Sequence, residues 1–397
     1  MSYIQNKFFM TFTFKNTVLL FVIVLTFSPS FCQKQIITGA DQYEKYIPYL
    51  KNKKIGVVAH KASRITKKKQ VHLVNFLIEK QIDVKTIFAP EHGYEGKADD
   101  GSLLPDSNDK TTGLKIISLY GKTKKPLPKH LKGIDLIIFD LQDVGARFYT
   151  FLSTLHYVME ACAEANIPLL LLDRPNPNGH YVDGPVLNLK FKTFVGMHPV
   201  PIVHGMTLGE YAKMINGEGW LGENLKCELK IIKVKNYTHK TKYILPIRPS
   251  PNLPNSQSIS LYPSLCLLEP TNISIGRGTE KQFQIYGHPN FPDSKFTFKP
   301  NPNFGSKNPK WNGETCFGVS LEKLKVLNQL DLRWLIDAYN KLPKNNVFFK
   351  NSFERIAGNS ELREQIINNV TINEIRKSWE PELANYKNMR KKYLIYP

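Results

Sequence analysis

Residues 134–147 read IDLIIFDLQDVGAR, a short apolar run that stops at a cluster of acids and an arginine. Runs rich in valine, isoleucine and leucine, separated by helical stretches, are typical of buried parallel strands. Three more runs stop in the same way: Val84–Ala89 before Glu91-His92, Leu169–Leu172 before Asp173-Arg174, and Pro199–Val203 before His204. Ligands of parallel sheets bind beyond the carboxyl ends of the strands. Four polar strand ends therefore predict one shared site and indicate an enzyme.

Strand and helix patterns alternate through residues 50–245. The predicted strands that accompany these runs are Ile55–Ala59, Leu114–Leu119 and Leu229–Val234. Apolar residues at helical spacing predict helices over Val71–Glu79 and Thr150–Asn166. Thr207 and Glu210 form a capping-box pattern that begins another helix. This alternation predicts a three-layer α/β domain with a parallel sheet.

Prolines interrupt the alternation from Pro246 to Pro263. We therefore predict two domains, residues 33–248 and a smaller α+β domain over residues 249–397. Helical patterns in the second part lie near residues 331–341, 360–368 and 371–389. A glycine-rich turn precedes them at Gly276–Glu280.

Residues 1–32 have the pattern of a secretory signal peptide. Lys7 and Lys15 accompany the apolar segment Thr17–Phe27, which is short for a membrane span. We predict cleavage near Gln33, export to the periplasm or the cell exterior, and no transmembrane span after cleavage. A lipid anchor on Cys32 and an uncleaved amino-terminal anchor are the alternatives.

Composition describes a folded, basic protein of 397 residues with 42% hydrophobic residues and a net charge of +20. Such a charge favours polyanionic surroundings. No nucleic-acid recognition motif accompanies it, so acidic glycans or a charged cell wall are the predicted environment, with simple solvated lysines as the alternative. Four scattered cysteines after residue 32 predict buried free thiols and no zinc site. They are Cys162, Cys227, Cys266 and Cys316.

Glu91 and His92 form the sharpest local signal for catalysis. Pro90 and Gly93 flank them, directly after a predicted strand. Burial at a strand end raises a carboxyl pKa and suits a general acid. A salt-bridged or helix-capping glutamate is the structural alternative.

The other charged strand ends admit two interpretations. Arg147, with Asp140 and Asp143 before it, could clamp an anionic substrate group or could form an internal ion pair. Asp173 and Arg174 carry the same ambiguity. His204 could bind substrate or share a proton, although a lone histidine is more often structural.

Arg277 and Glu280 place a cation and a carboxylate on the Gly276–Glu280 turn. The turn matches neither a phosphate-binding loop nor a dinucleotide fingerprint. There is also no Gly-x-Ser-x-Gly elbow and no metal-ligand spacing. We therefore predict no cofactor and no metal, which leaves acid/base hydrolysis by carboxylates.

Several of these motifs resemble the NamZ-type exo-β-N-acetylmuramidases, and they follow one another in unbroken order over about residues 50–397. They are Phe88–Gly93, Asp140–Tyr149, Leu172–Pro177, Gly196–Pro201, Ser250–Pro254, Gly276–Glu280, Arg355–Gly358 and Tyr393–Tyr396. The chain is identified as a member of this family by that resemblance. It departs from the family pattern at His60, where an asparagine is usual.

The resemblance implies a Rossmann-like domain, a smaller carboxyl-terminal domain and a cleft between them. It implies release of N-acetylmuramic acid from the non-reducing ends of peptidoglycan fragments, so peptidoglycan sugars or muropeptides are the expected partners. Glu91 is then the catalytic glutamate, and the loop that bears Glu280 faces it across the cleft.

The mechanism stays open within this resemblance. Glu280 could activate water, or it could orient a substrate acetamido group that attacks in its place. Arg147, Arg174 and Arg277 are candidates to hold the lactyl carboxylate of the substrate. The rival functions are an exported muropeptide-binding protein and a different cell-wall hydrolase.

Overall fold

A computed structural model describes residues 34–397, so the predicted signal peptide lies outside the described residues. The strands are β1 Lys54–Ala59, β2 Arg64–Ile65, β3 Val71–His72, β4 Asp83–Ala89, β5 Ser107–Asn108, β6 Lys115–Ser118, β7 Leu136–Asp140, β8 Leu169–Leu172, β9 Asp183–Val186, β10 Pro201–Val203, β11 Leu229–Ile232, β12 Ile285–His288, β13 Thr297–Phe298 and β14 Cys316–Ser320. The helices are α1 Tyr43–Leu50, α2 Leu73–Glu79, α3 Pro128–Leu131, α4 Phe151–Glu164, α5 Leu208–Gly217, α6 Ser256–Leu265, α7 Arg333–Lys341, α8 Phe353–Ala357, α9 Glu361–Ile367 and α10 Ile372–Lys391.

A seven-stranded sheet organises the first half, in the order β11-β8-β7-β1-β4-β6-β5. Every neighbouring pair is parallel except β5 with β6. The chain runs from β1 outward through β4 to β6, then crosses to the other side for β7, β8 and β11. This is the strand order of a doubly wound α/β sheet. The predicted parallel α/β fold is confirmed.

The side chains of the central strands alternate between two buried clusters, because successive residues of a strand point to opposite faces. In β1, Val57 packs with Tyr46 of α1 on one face. Its neighbour Val58 packs with Leu155 of α4 on the other. The sheet is therefore the middle layer of three, and its polar strand ends project from the carboxyl edge.

One predicted strand lies outside this sheet. The apolar run before His204 forms β10, which pairs antiparallel with β9 in a separate two-stranded sheet. Prolines at positions 199 and 201 carry no N–H to donate to a central ladder, which confines such a strand to an edge. The prediction that this run is a parallel strand of the main sheet is wrong.

The second half carries a three-stranded antiparallel sheet, in the order β12-β14-β13, and the helices from α6 onward. This confirms a smaller domain of α+β type after the parallel sheet. Helix α10 lies beside β9, and its Tyr386 hydroxyl donates to the His204 carbonyl at 2.8 Å. The boundary between residues 248 and 249 stays a prediction.

The four cysteines after residue 32 are all buried and free, as predicted. Within residues 34–397, no helix combines the length and the apolar character needed to cross a membrane.

Candidate active site

A cavity of about 160 Å³ lies between the carboxyl end of β4 and the second half of the chain. Both halves contribute carboxylates and aromatic rings, and the second half adds the Arg277 guanidinium. The polar and aromatic residues that line it are Glu91, His92, Asp100, Tyr120, Phe148, Tyr149, Thr150, Phe151, Ser250, Asn252, Tyr262, Glu269, Arg277 and Phe283.

Glu91 lies two residues beyond β4 and is only 6% exposed. The next residues, His92 and Gly93, turn the chain sharply with φ angles of 67° and 75°. A side chain on Gly93 would meet Leu104 at 2.7 Å, so this left-handed position also needs the space that glycine leaves. The turn therefore keeps Glu91 at the strand end with its carboxylate in the cavity.

Two donors fix the orientation of the Glu91 carboxylate. The Thr150 hydroxyl donates to Oε2 at 2.6 Å, from the residue that precedes α4. The Gly101 amide donates to Oε1 at 3.0 Å. A side chain held at both oxygens presents one geometry to a bound substrate, which is what positioned acid/base chemistry requires.

Tyr120 adds a neutral donor beside Glu91. Burial raises the pKa of the Tyr120 phenol above its usual range, and the Glu91 and Asp100 carboxylates raise this pKa further. The phenol therefore stays protonated and can donate a hydrogen bond to Glu91 or to a substrate oxygen.

Arg277 and Glu269 form the charged pair on the opposite wall. Arg277 Nε lies 2.6 Å from a Glu269 oxygen, and Arg277 NH2 lies 3.5 Å from an Asp100 oxygen. Burial opposes the charge on Arg277, but these two carboxylates outweigh it and raise its pKa. The guanidinium also packs over the Phe283 ring, 5.2 Å from its centroid. This wall thus presents a permanent cation to the cavity.

Lys310 holds the backbone that carries Glu269. Its ammonium donates to the carbonyls of Glu269 at 2.8 Å and Ile273 at 3.1 Å. Burial lowers the pKa of Lys310 to about 8. The position of the Glu269–Arg277 pair therefore depends on a desolvated lysine behind it.

Glu91, His92 and Asp100 are the residues that could hold a cation. Among the described residues they form one cluster of ligand atoms, all within 4.8 Å of one another. His92 Nδ1 is already bonded to the Ala98 carbonyl at 2.8 Å, and both Glu91 oxygens have donors. The prediction that no metal is needed stays a prediction.

Asp140, Asp173 and Arg174 do not line the cavity. Arg174 binds Asp140 through two nitrogens at 2.6 and 2.9 Å, in a fully buried ion pair at the end of β7. Asp173 accepts hydrogen bonds from the hydroxyls of Thr207 at 2.7 Å and Tyr396 at 2.6 Å. The structure gives these three residues the internal role rather than the substrate-binding one.

Asp143 and His204 are also buried outside the cavity lining, 3.6 Å apart at their nearest side-chain atoms. The Asp143 carboxylate accepts from the Gly145 amide at 2.6 Å, and His204 Nδ1 accepts from the Met206 amide at 3.2 Å. Both side chains brace the loops after β7 and β10.

Arg147 is 2% exposed and joins the two halves of the chain. Its NH1 nitrogen donates to the carbonyls of Pro185 and Val200, and NH2 donates to those of Ile356 and Ala357, all at 2.8–2.9 Å. The last two carbonyls end helix α8, where a cation is favoured. Its two terminal nitrogens are thus occupied by backbone carbonyls from both halves of the chain, whereas Nε is buried without a partner among residues 34–397.

Glu280 is exposed and is not among the residues that line the cavity. Of the ten residues predicted for the site, the structure brings together Glu91, His92 and Arg277. Sequence reasoning missed Asp100, Tyr120, Thr150 and Glu269. For Asp100 the sequence offered one signal, the run Asp99-Asp100-Gly101, which predicts a turn that carries carboxylates a few residues after Glu91.

The comparisons with known proteins agree with this architecture. The family model described as "Exo-beta-N-acetylmuramidase NamZ, N-terminal" matches residues 55–257, and its C-terminal counterpart matches residues 260–396. The peptidoglycan β-N-acetylmuramidase NamZ of Bacillus subtilis (strain 168) is 37% identical over 387 residues, covering 91% of this chain and 92% of that protein.

Two crystal structures of DUF1343 family proteins from Bacteroides fragilis share the fold. One has a TM-score of 0.84 and 43% identity, the other a TM-score of 0.77 and 26% identity. Each comparison covers 91% of this chain and 99% of the other. The predicted family and the predicted class of enzyme, a glycoside hydrolase, are confirmed: this chain belongs to the NamZ exo-β-N-acetylmuramidase family.

Proposed function

We propose that the protein is an exo-acting hydrolase that releases N-acetylmuramic acid from the non-reducing ends of peptidoglycan fragments, with Glu91 as the general acid. One observation carries the assignment within the family. Glu91 is a nearly buried carboxylate, oriented by Thr150 and Gly101, that faces a cavity lined from both halves of the chain.

In this reaction Glu91 gives its proton to the glycosidic oxygen as the bond from that oxygen to the sugar carbon breaks. Water finally supplies the hydroxyl of the released sugar and restores the proton to Glu91. The geometry supports Asp100 as the second carboxylate rather than Glu280, because both are exposed but only Asp100 lines the cavity. One of its oxygens lies within 4.8 Å of the Glu91 ligand atom.

That separation bears on the stereochemical course. Inverting enzymes keep their carboxyl groups roughly 6.5–9.5 Å apart to admit a water, whereas retaining pairs lie roughly 5–5.5 Å apart. One oxygen of each carboxylate lies within 4.8 Å of the other, a spacing nearer the retaining range than the inverting one, so we propose retention. Asp100 either attacks the sugar carbon directly or orients the substrate's own acetamido group for that attack.

Arg277 is the arginine that we propose for recognition of the lactyl carboxylate. Arg147 and Arg174 bind internal partners and do not line the cavity, whereas Arg277 does. Its contact with Asp100, at 3.5 Å, is looser than its 2.6 Å contact with Glu269. A substrate carboxylate would bind on this looser side, where bidentate pairing discriminates against sugars without the lactyl group.

We further propose that the protein is exported and acts on wall material outside the cytoplasm. The apolar segment after Lys15 and the small residues before Gln33 support this proposal. Fractionation of cells that express the full chain, with sequencing of the mature amino terminus, tests it. A cytoplasmic protein that retains Met1 would refute it.

The hydrolase assignment is tested with chromogenic β-glycosides of N-acetylmuramic acid and of N-acetylglucosamine. We expect the wild type to turn over only the first, and Glu91→Gln to lose that activity. Glu95→Gln is the matched control, because Glu95 lies close in sequence but is exposed and paired with Lys97. Muropeptide binding without turnover by the wild type would instead support a binding protein.

A further inference from the structure

Three aromatic side chains form a row that leads away from the cavity. The Tyr120 and Phe194 ring centroids lie 5.5 Å apart, and the Phe194 and Tyr157 centroids lie 6.1 Å apart with nearly parallel planes. All three residues are partly exposed. We call Tyr120, Phe194 and Tyr157 the aromatic ridge. Its solvent-facing rings distinguish it from the buried aromatic contacts of the core.

The aromatic ridge is continuous with the catalytic cavity. Tyr120 lines the cavity beside Glu91, and Val195, the neighbour of Phe194, lines it too. The Phe194 loop is held in place, because the Ser153 hydroxyl donates to the Phe194 carbonyl at 2.6 Å. A chain bound in the cavity therefore meets a fixed aromatic surface at the exit beside Glu91.

The chemistry of bond cleavage decides which part of the substrate lies there. A general acid must contact the glycosidic oxygen, which belongs to the leaving part of the chain after cleavage. The leaving part consequently departs on the Glu91 side of the cavity. Tyr120 is the aromatic residue that both interacts with Glu91 and begins the ridge.

Charge at the ridge matches this part of the substrate. The Lys124 ammonium lies 4.3 Å from the Phe194 ring centroid and 5.5 Å from that of Tyr120. Lysine is a flexible point charge, so it can move aside for a sugar and still reach an anionic substituent. Every second sugar of a peptidoglycan strand bears a lactyl group, which is a free carboxylate where the stem peptide has been removed.

We propose that the aromatic ridge binds the leaving portion of the substrate, a β-linked amino-sugar chain of two or more units whose apolar ring faces stack on Phe194 and Tyr157. This inference rests on the proposed function and extends it to the substrate class. The protein then acts on oligosaccharides in preference to short glycosides, because burying sugar faces against aromatic rings adds binding that a small leaving group lacks.

The test compares a chromogenic glycoside, whose leaving group is a single chromophore and not a sugar chain, with an oligosaccharide that bears N-acetylmuramic acid at its non-reducing end. Phe194→Ala and Tyr157→Ala should each lower kcat/KM for the oligosaccharide roughly tenfold and change it less than about twofold for the chromogenic glycoside. Phe194→Trp should retain the oligosaccharide activity, because it keeps an aromatic face.

Tyr49→Ala is the matched control. Its ring is partly exposed and lies under Lys53 and Lys230, with ammonium distances of 3.6 and 4.0 Å, yet it does not line the cavity. Equal losses on both substrates, or no loss on either, would overturn the proposal. Calorimetry can measure how tightly the leaving oligosaccharide binds to the wild type and to Phe194→Ala, and we expect weaker binding by the variant. This measurement does not depend on turnover, so an absence of turnover would count against the proposed function and not against the ridge.

Discussion

Replacement of Arg147 by methionine tests whether this arginine stabilises the fold or recognises the substrate. Methionine fills the space of the aliphatic stem but has no donors. Four carbonyls, two from each half of the chain, would lose a hydrogen bond, although the Val200 carbonyl would keep the Leu187 amide as a donor. Other contacts between the halves would remain, among them the bond from the Asn178 side chain to the Ile259 carbonyl.

The magnitude follows from the hydrogen bonds and from the burial of the cation. An unsatisfied buried acceptor costs about 1–3 kcal/mol, so the three carbonyls left without a donor would cost roughly 3–9 kcal/mol. Against this, the variant no longer desolvates a guanidinium, a penalty of several kcal/mol. Burial lowers the pKa of Arg147, which reflects that penalty. We expect the free energy of unfolding to fall by about 4 kcal/mol.

Urea unfolding followed by tryptophan fluorescence measures the change in stability, and the kcat/KM ratio for the two chromogenic glycosides measures recognition. Arg248→Met is the matched control, because Arg248 is an exposed arginine. It should change the free energy of unfolding by less than about 0.5 kcal/mol.

A folded Arg147→Met enzyme should keep the wild-type preference for the N-acetylmuramic acid glycoside. The reasoning is refuted if the variant is as stable as the wild type but has lost that preference. Such a result would mean that the guanidinium leaves its carbonyls to bind substrate.

Four further outcomes are expected. Thr150→Val should lower kcat roughly tenfold to a hundredfold and lower the free energy of unfolding by about 1–3 kcal/mol, because it removes a donor to the buried Glu91 carboxylate; an unchanged kcat would contradict this role. Chelation of divalent cations should leave turnover unchanged, and restoration of lost activity by added metal would argue for a metal at Glu91. Burial raises the pKa of Asp173 to about 6. Between about pH 4 and pH 6 the native state holds a proton that the unfolded chain releases, so the free energy of unfolding should fall as the pH rises through this range. Asp173→Asn should make the free energy of unfolding depend less on pH over the same range. Tyr396→Phe should lower the free energy of unfolding by about 2 kcal/mol, because it removes a donor to buried Asp173, and an unchanged midpoint in a urea titration would contradict the bond.

The elements predicted best are those whose signals are local. Leu169–Leu172 forms a strand with the predicted bounds, and the capping box at Thr207 and Glu210 begins α5 as expected. Hydrophobic periodicity and cap chemistry act within a few residues, so one sequence suffices to predict them. The antiparallel pairing of β10 could not be predicted in this way, because it depends on the partner strand β9 and not on the residues of β10 alone.

The site was predicted only in part, because an ion pair and a binding site use the same residue types. Asp140 and Arg174 lie 34 residues apart, and nothing in either segment shows that each is the other's partner. Glu269 and Glu280 flank the same glycine-rich turn, but sequence does not show which of the two side chains points into the cavity. Asp100 reaches it from a long loop whose path depends on tertiary contacts.

The bond between Asp173 and Tyr396 joins residues 223 positions apart, and this separation sets an order of events during synthesis. Chains emerge from the ribosome amino terminus first, at about 5–20 residues per second, so Tyr396 is made roughly 10–45 s after Asp173. Until then, the carboxylate at the end of β8 has the Thr207 and Gly209 donors and water. The bond that ties the end of the chain to the carboxyl edge of the central sheet can therefore form only when translation is nearly finished.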